Sequence, residues 1–116
     1  MAIAVQKIKK EYESSLALAI RYYSLMSAIG EWGLTPREIQ LMAFTAVRGT
    51  ISSGGAKKIF VELFGSSTGT LANMKGRLLK RGLLIEKDGK EIVNPQVYPD
   101  FSIPIIIQIQ LHVKKA

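Results

Sequence analysis

Cysteine is absent from the 116-residue chain. Disulfide staples and thiolate metal sites are therefore excluded, and the absence fits a reducing compartment. Histidine occurs once, as His112, so one chain cannot assemble a multi-histidine metal site or a Ser-His-Asp triad from the usual residues. Acids are few, nine against sixteen Lys and Arg, and no two of them form an obvious general acid/base pair. Gly54-Gly55-Ala56-Lys57 lacks the leading glycine spacing of a phosphate-binding loop and the Ser or Thr after its lysine. No catalytic residue, metal site or cofactor is expected, and the chain does not read as an enzyme. Long apolar runs are missing too. The densest, Ile103 to Val113, is interrupted by Pro104, Gln108, Gln110 and His112, and is too short to cross a bilayer as a helix. The start MAIAVQKIKK has no apolar run after its charges, so no signal peptide is expected. These absences lead to the expectation of a soluble, cytoplasmic protein with no membrane partner.

Hydrophobic residues make up 47% of the chain, enough for one domain with a core. Net charge is +7 and the pI about 9.8, a surplus that points to an anionic partner such as nucleic acid. Residues 34–94 hold ten basic and five acidic side chains, more of the surplus than either end. Within them, Ser66 to Gly82 carries Lys75, Arg77, Lys80 and Arg81 and no acid. Such a cluster is either a solvated helix face or a phosphate-facing one.

Apolar spacing divides the chain into residues 1–33, 34–95 and 96–116. In the first, Ile8, Tyr12, Leu16, Ala19, Tyr23, Met26 and Ile29 recur every three or four residues. They predict one amphipathic helix over Ile3–Ile29, closed by Gly30 and Gly33, with a stripe that packs on its own domain or on a second subunit. Leu34-Thr35-Pro36-Arg37-Glu38 is a helix start: Thr35 caps, Pro36 suits the first turn, and Glu38 completes a capping box. That helix runs to about Arg48, apolar almost all round. Beyond Ser52-Ser53-Gly54-Gly55 a shorter helix spans Ala56–Phe64, with Ile59, Phe60 and Leu63 on one face, and Gly65 stops it. Thr68 opens a third helix to Arg81, with Leu71, Met74 and Leu78 facing inward. Leu83-Leu84-Ile85 and Ile92-Val93 are short strands around Glu86–Glu91, whose Asp88-Gly89 is a hairpin signal.

Two helices joined by a tight turn and followed by a hairpin make a winged helix-turn-helix. The run Leu71-Ala72-Asn73-Met74-Lys75-Gly76-Arg77-Leu78-Leu79-Lys80-Arg81-Gly82-Leu83-Leu84, with Asp88-Gly89 after it and the Leu-Thr-Pro opening before it, resembles the MarR family of bacterial regulators over about residues 34–94. The resemblance implies a DNA-binding transcriptional regulator whose helix 68–81 reads the major groove. It does not extend past the hairpin. Val97 to Pro104 cannot form the long dimerising helix of that family, because prolines interrupt it.

On this reading the outward residues of the helix are Ser67, Thr68, Thr70, Asn73 and Arg77. Asn suits an adenine edge and Arg a guanine edge. Ser67, Thr68 and the helix N-terminus offer donors to a phosphate, unless they only cap. Lys57, Lys58, Lys75, Lys80 and Arg81 are candidate phosphate contacts, with Lys87 and Lys90 on the hairpin. The tail adds a second function class. Ile105, Ile107, Ile109, Leu111 and Val113 alternate with Ile106, Gln108, Gln110 and His112, which predicts a strand with one buried face. It can pair with the hairpin, with an N-terminal segment or with another chain. The expected fold is thus mainly α with a small hairpin (α+β), a winged helix with an N-terminal helix and a C-terminal strand. Its expected partner is double-stranded DNA, with self-association or other subunits engaged through the two ends. The alternative is a structural or assembly protein, for example a phage virion component, that uses the same domain as a scaffold.

Overall fold

Thr35 caps the helix at the centre of the fold. Its hydroxyl accepts the Glu38 N–H while the Glu38 carboxylate accepts the Thr35 N–H at 2.9 Å, the reciprocal box expected of that sequence. In the computed structural model, which describes residues 2–52 and 55–114, four helices and a hairpin follow one another. They are α1 (Ser15–Ile29), α2 (Pro36–Arg48), α3 (Ala56–Phe64), α4 (Thr68–Lys80), β1 (Leu84–Lys87) and β2 (Lys90–Val93), with a 3-10 turn at Pro95–Val97 after them. Ser53 and Gly54, in the stretch read as the approach to α3, lie outside the described residues. The architecture is α+β, mainly helical, with one antiparallel two-stranded sheet.

Helix α2 is the centre. Leu41 through Ala46 are all buried, as an element apolar on every side requires. Its Phe44 makes edge-on contacts with Phe60 and Phe64 of α3, which are tilted against each other, and α4 contributes Leu71, Met74 and Leu78. Full burial of side chains this size stabilises by roughly 1.5–3 kcal/mol each. On α3 only Ala56 and Phe60 are buried; Ile59 and Leu63, expected on the same inward face, are exposed. Nine residues give two and a half turns, and only one edge of them meets α2.

The hairpin is tighter than expected. Its strands extend to Lys87 and resume at Lys90, leaving Asp88 and Gly89 as the whole turn, both at positive φ (53° and 77°). That is the two-residue turn whose twist matches paired strands, and Asp-Gly tolerates it best. Beside β2, the Ile51 N–H and the Thr50 hydroxyl both donate to the Glu91 carbonyl. Thr50 and Ile51 are thereby held beside the sheet.

Two expectations are corrected. The first helix begins at Ser15, because the Ser14 hydroxyl accepts the Ala17 N–H and caps it there. Residues 2–13 have no helix, and Ile3, Val5 and Ile8 are exposed. At its other end the left-handed residues are Glu31 and Gly33, whereas Gly30 has φ −83°. The Ala19–Tyr23 stripe packs on this chain's own core, so it is not a free subunit surface. Tyr23 is buried with its hydroxyl donating to the Val97 carbonyl at 2.7 Å; burial, reinforced by Tyr22 and Tyr98, pushes that hydroxyl's pKa up. Phe101 joins Tyr22 and Tyr23. The chain after the hairpin thus packs against α1.

The second correction is the tail. Residues 104–114 form no strand and remain exposed apart from the half-buried Ile105. Alternation supplies a face but not a hydrogen-bonding neighbour, and β1 and β2 pair only with each other among the described residues. Because both arms project, the radius of gyration is 15.9 Å, against about 13 Å for a compact chain of this length. No helix of the described residues is long and apolar enough to cross a membrane.

Candidate nucleic-acid interface

Helix α4 owes its exposed face to its spacing. With Leu71, Met74 and Leu78 inward, Thr68, Thr70, Asn73, Arg77, Lys80 and Arg81 are exposed. Thr70, Asn73 and Arg77, at intervals of three and four, share one side of the helix. Gly65, at φ 63°, turns the chain between α3 and α4. Ser67 then spends its hydroxyl locally, accepting the Thr70 N–H at 3.1 Å and donating to the Thr70 Oγ1 at 2.9 Å. Its role is the cap, and the Thr70 hydroxyl is engaged with it.

Two of the expected contacts have partners inside the chain. Lys75 pairs with Glu91 across 2.7 Å, the two side chains 18% and 15% exposed. Lys75 is therefore a strut between α4 and the hairpin. Glu91 is the hub of this joint. Its carboxylate also accepts the Ser52 hydroxyl, and its N–H donates to the Ser52 oxygen at 2.9 Å. The Lys75 hydrogen bond leads the influences that hold the Glu91 carboxyl below its ordinary value, opposed by partial burial and helped by the nearby charge of Lys57.

Arg77 is tied differently. Its Nε donates to the Glu38 Oε2 at 3.1 Å, yet the side chain is 57% exposed while Glu38 is 8% exposed. Only one edge of the guanidinium is used, and its two terminal nitrogens have no partner among the described residues. Burial raises the Glu38 pKa, but the Thr35 N–H and Arg77 outweigh it and bring the carboxyl below its ordinary value. Glu38 thus closes the capping box with one oxygen and steadies Arg77 with the other. The capping pattern signalled the first role. Nothing in the sequence signalled the second, since the two residues are 39 positions apart.

The other cations expected as contacts make no ion pairs among the described residues. Lys57 and Lys58 are exposed on the first turn of α3, and Lys80 and Arg81 at the end of α4. Lys87 and Lys90 are directly opposed across the hairpin end, an arrangement that repels unless an anion lies near. Among the described residues no group of three or more His, Asp or Glu is placed to hold a metal. Comparison with protein-family models, with curated proteins and with solved structures finds no match to this chain.

Proposed function

We propose that residues 34–94 are a winged helix-turn-helix module that binds double-stranded DNA, as a transcriptional regulator in the cytoplasm. Helix α4 lies in the major groove, and the hairpin is the wing. One observation carries this reading: the exposed side of α4 presents Asn73 and a steadied Arg77 with no carboxylate of its own helix among them. A groove wide enough for one helix presents to such a face the edges that Asn and Arg read. Lys57, Lys58, Lys80, Arg81, Lys87 and Lys90 then meet phosphates. Gly76 supports the reading. Beyond its own stretch of helix, a Cβ there would meet no atom within 4 Å, so no tertiary contact explains a mid-helix glycine that costs about 0.5–1 kcal/mol against alanine. A closely approaching ligand does.

A second reading, a structural or assembly component, is favoured by the exposed isoleucines of both arms. Titrating a labelled short duplex of mixed sequence, followed by fluorescence anisotropy, separates the two. DNA binding predicts an affinity that falls steeply between roughly 50 and 200 mM salt and falls again on Arg77→Ala. No binding at low salt, with a stable larger assembly in solution, favours the second reading.

A further inference from the structure

We propose that Ile105–Val113 pairs antiparallel with the same segment of a second copy of this chain, about a two-fold axis through Ile109. The tail has the alternation of a half-buried strand and finds no strand partner among the described residues of its own chain. On the face that carries Ile105, Ile107, Ile109, Leu111 and Val113, exposure rises towards the end: Ile105 is half-buried against the chain's own core, Ile107 and Ile109 are 38% and 40% exposed, and Leu111 and Val113 are 81% and 94% exposed. What chooses the occupant is the pattern itself, because it reads nearly the same in both directions from Ile109. Antiparallel pairing about that residue sets Ile105 against Val113 and Ile107 against Leu111, with Ile109 facing itself. On the other face Gln108 meets Gln110 and Ile106 meets His112. Every apolar side chain of one face is matched with an apolar one, and each glutamine with a glutamine.

Charge selects the direction. The described tail has no acid and ends in Lys114. Parallel pairing would set the two lysines side by side, whereas antiparallel pairing places them at opposite ends. Nine residues span roughly 30 Å, and Pro104 stands just before them, where a missing N–H costs least. Lys9 and Lys10 line the same cleft as Pro104, Ile105 and Ile106. Charges beside an open edge discourage further strands, so association stops at a closed isologous pair. This pairing is independent of DNA binding and stands or falls separately from it.

Sedimentation equilibrium of the full chain tests it. The wild type is expected to be a dimer. Ile107→Lys and Leu111→Glu should each raise the dimer dissociation constant by at least ~100-fold, because each sets an unpaired charge against an apolar side chain twice per dimer. The double variant should recover to within about tenfold of wild type, since residue 107 of one copy opposes residue 111 of the other. Ile109→Lys, which opposes itself, should be monomeric with no such rescue. Thermal melting by circular dichroism should show the helical body unchanged in all four variants, because the tail residues altered lie outside the core. A monomeric wild type, a dimer indifferent to the single variants, or a double variant as dissociated as the singles would each overturn the pairing.

Discussion

The body of the molecule and its terminal arms carry apolar patterning of similar strength, yet one is folded and the other is bare. In the body each periodic segment meets a partner in the same chain: α2 lies under α1, α3 and α4, and β1 pairs with β2. In residues 2–13 and 106–114 the pattern persists with no helix or strand partner among the described residues, and Ile3, Val5, Ile8, Ile106 and Leu111 face solvent. Periodicity therefore specifies which face an element would bury, and tertiary contact decides whether the element exists.

The largest expected effect sharpens this contrast directly. Leu78→Ala, in the fully buried stripe of α4, should cost about 2–5 kcal/mol in chemical denaturation. Ile106→Ala should cost less than about 0.5 kcal/mol in the folding of the body. Equal losses at the two sites would mean that the tail is folded into the core after all.

Within α4 the same contrast separates paired cations from open ones. Lys75→Met should destabilise by about 1–3 kcal/mol, since it strands Glu91 at a half-buried joint. It should leave the salt dependence of DNA binding as it was. Lys80→Met should do the reverse, leaving stability nearly unchanged and reducing the salt slope by about one. Arg77→Ala should weaken binding to a preferred duplex about tenfold to a hundredfold, the size of one lost base contact of 1–3 kcal/mol.

Acid should loosen the body through two carboxylates. Glu38 and Glu91 both sit below the ordinary value of 4.5 when folded. Depressed carboxylates contribute stability that is present above that value and lost as the pH falls through the lower folded one. The melting temperature should therefore fall on acidification below about pH 4.5, and the fall should be shallower in Glu91→Gln. The smallest effect expected is a gain. Gly76→Ala should stabilise by about 0.5–1 kcal/mol while weakening DNA binding, a combination that a purely structural glycine would not give.

The sequence carried the body well because its cues are local. The Thr35–Glu38 box, the glycine after α3 and the Asp88-Gly89 turn each need only a few neighbouring residues to act. Cues of longer range were hidden. Glu38 with Arg77, and Lys75 with Glu91, come together only once α2, α4 and the hairpin pack. The set of candidate contacts on α4 was therefore readable from helical spacing, but not the fact that one of its cations is consumed as a strut. The first helix was read too long because Ile8 and Tyr12 continue the helical spacing of Leu16 and Ala19, while Ser14 caps beyond them.

The central claim is that the outer face of α4 contacts a duplex. Amide chemical-shift mapping of the full chain, with and without a short duplex at low salt, tests it most directly. The account predicts that the signals of Thr70, Asn73, Gly76 and Arg77 move together with those of Lys87 and Lys90, while those of residues 103–114 stay in place. Movement confined to the arms, or none on α4 at saturating duplex, would contradict it.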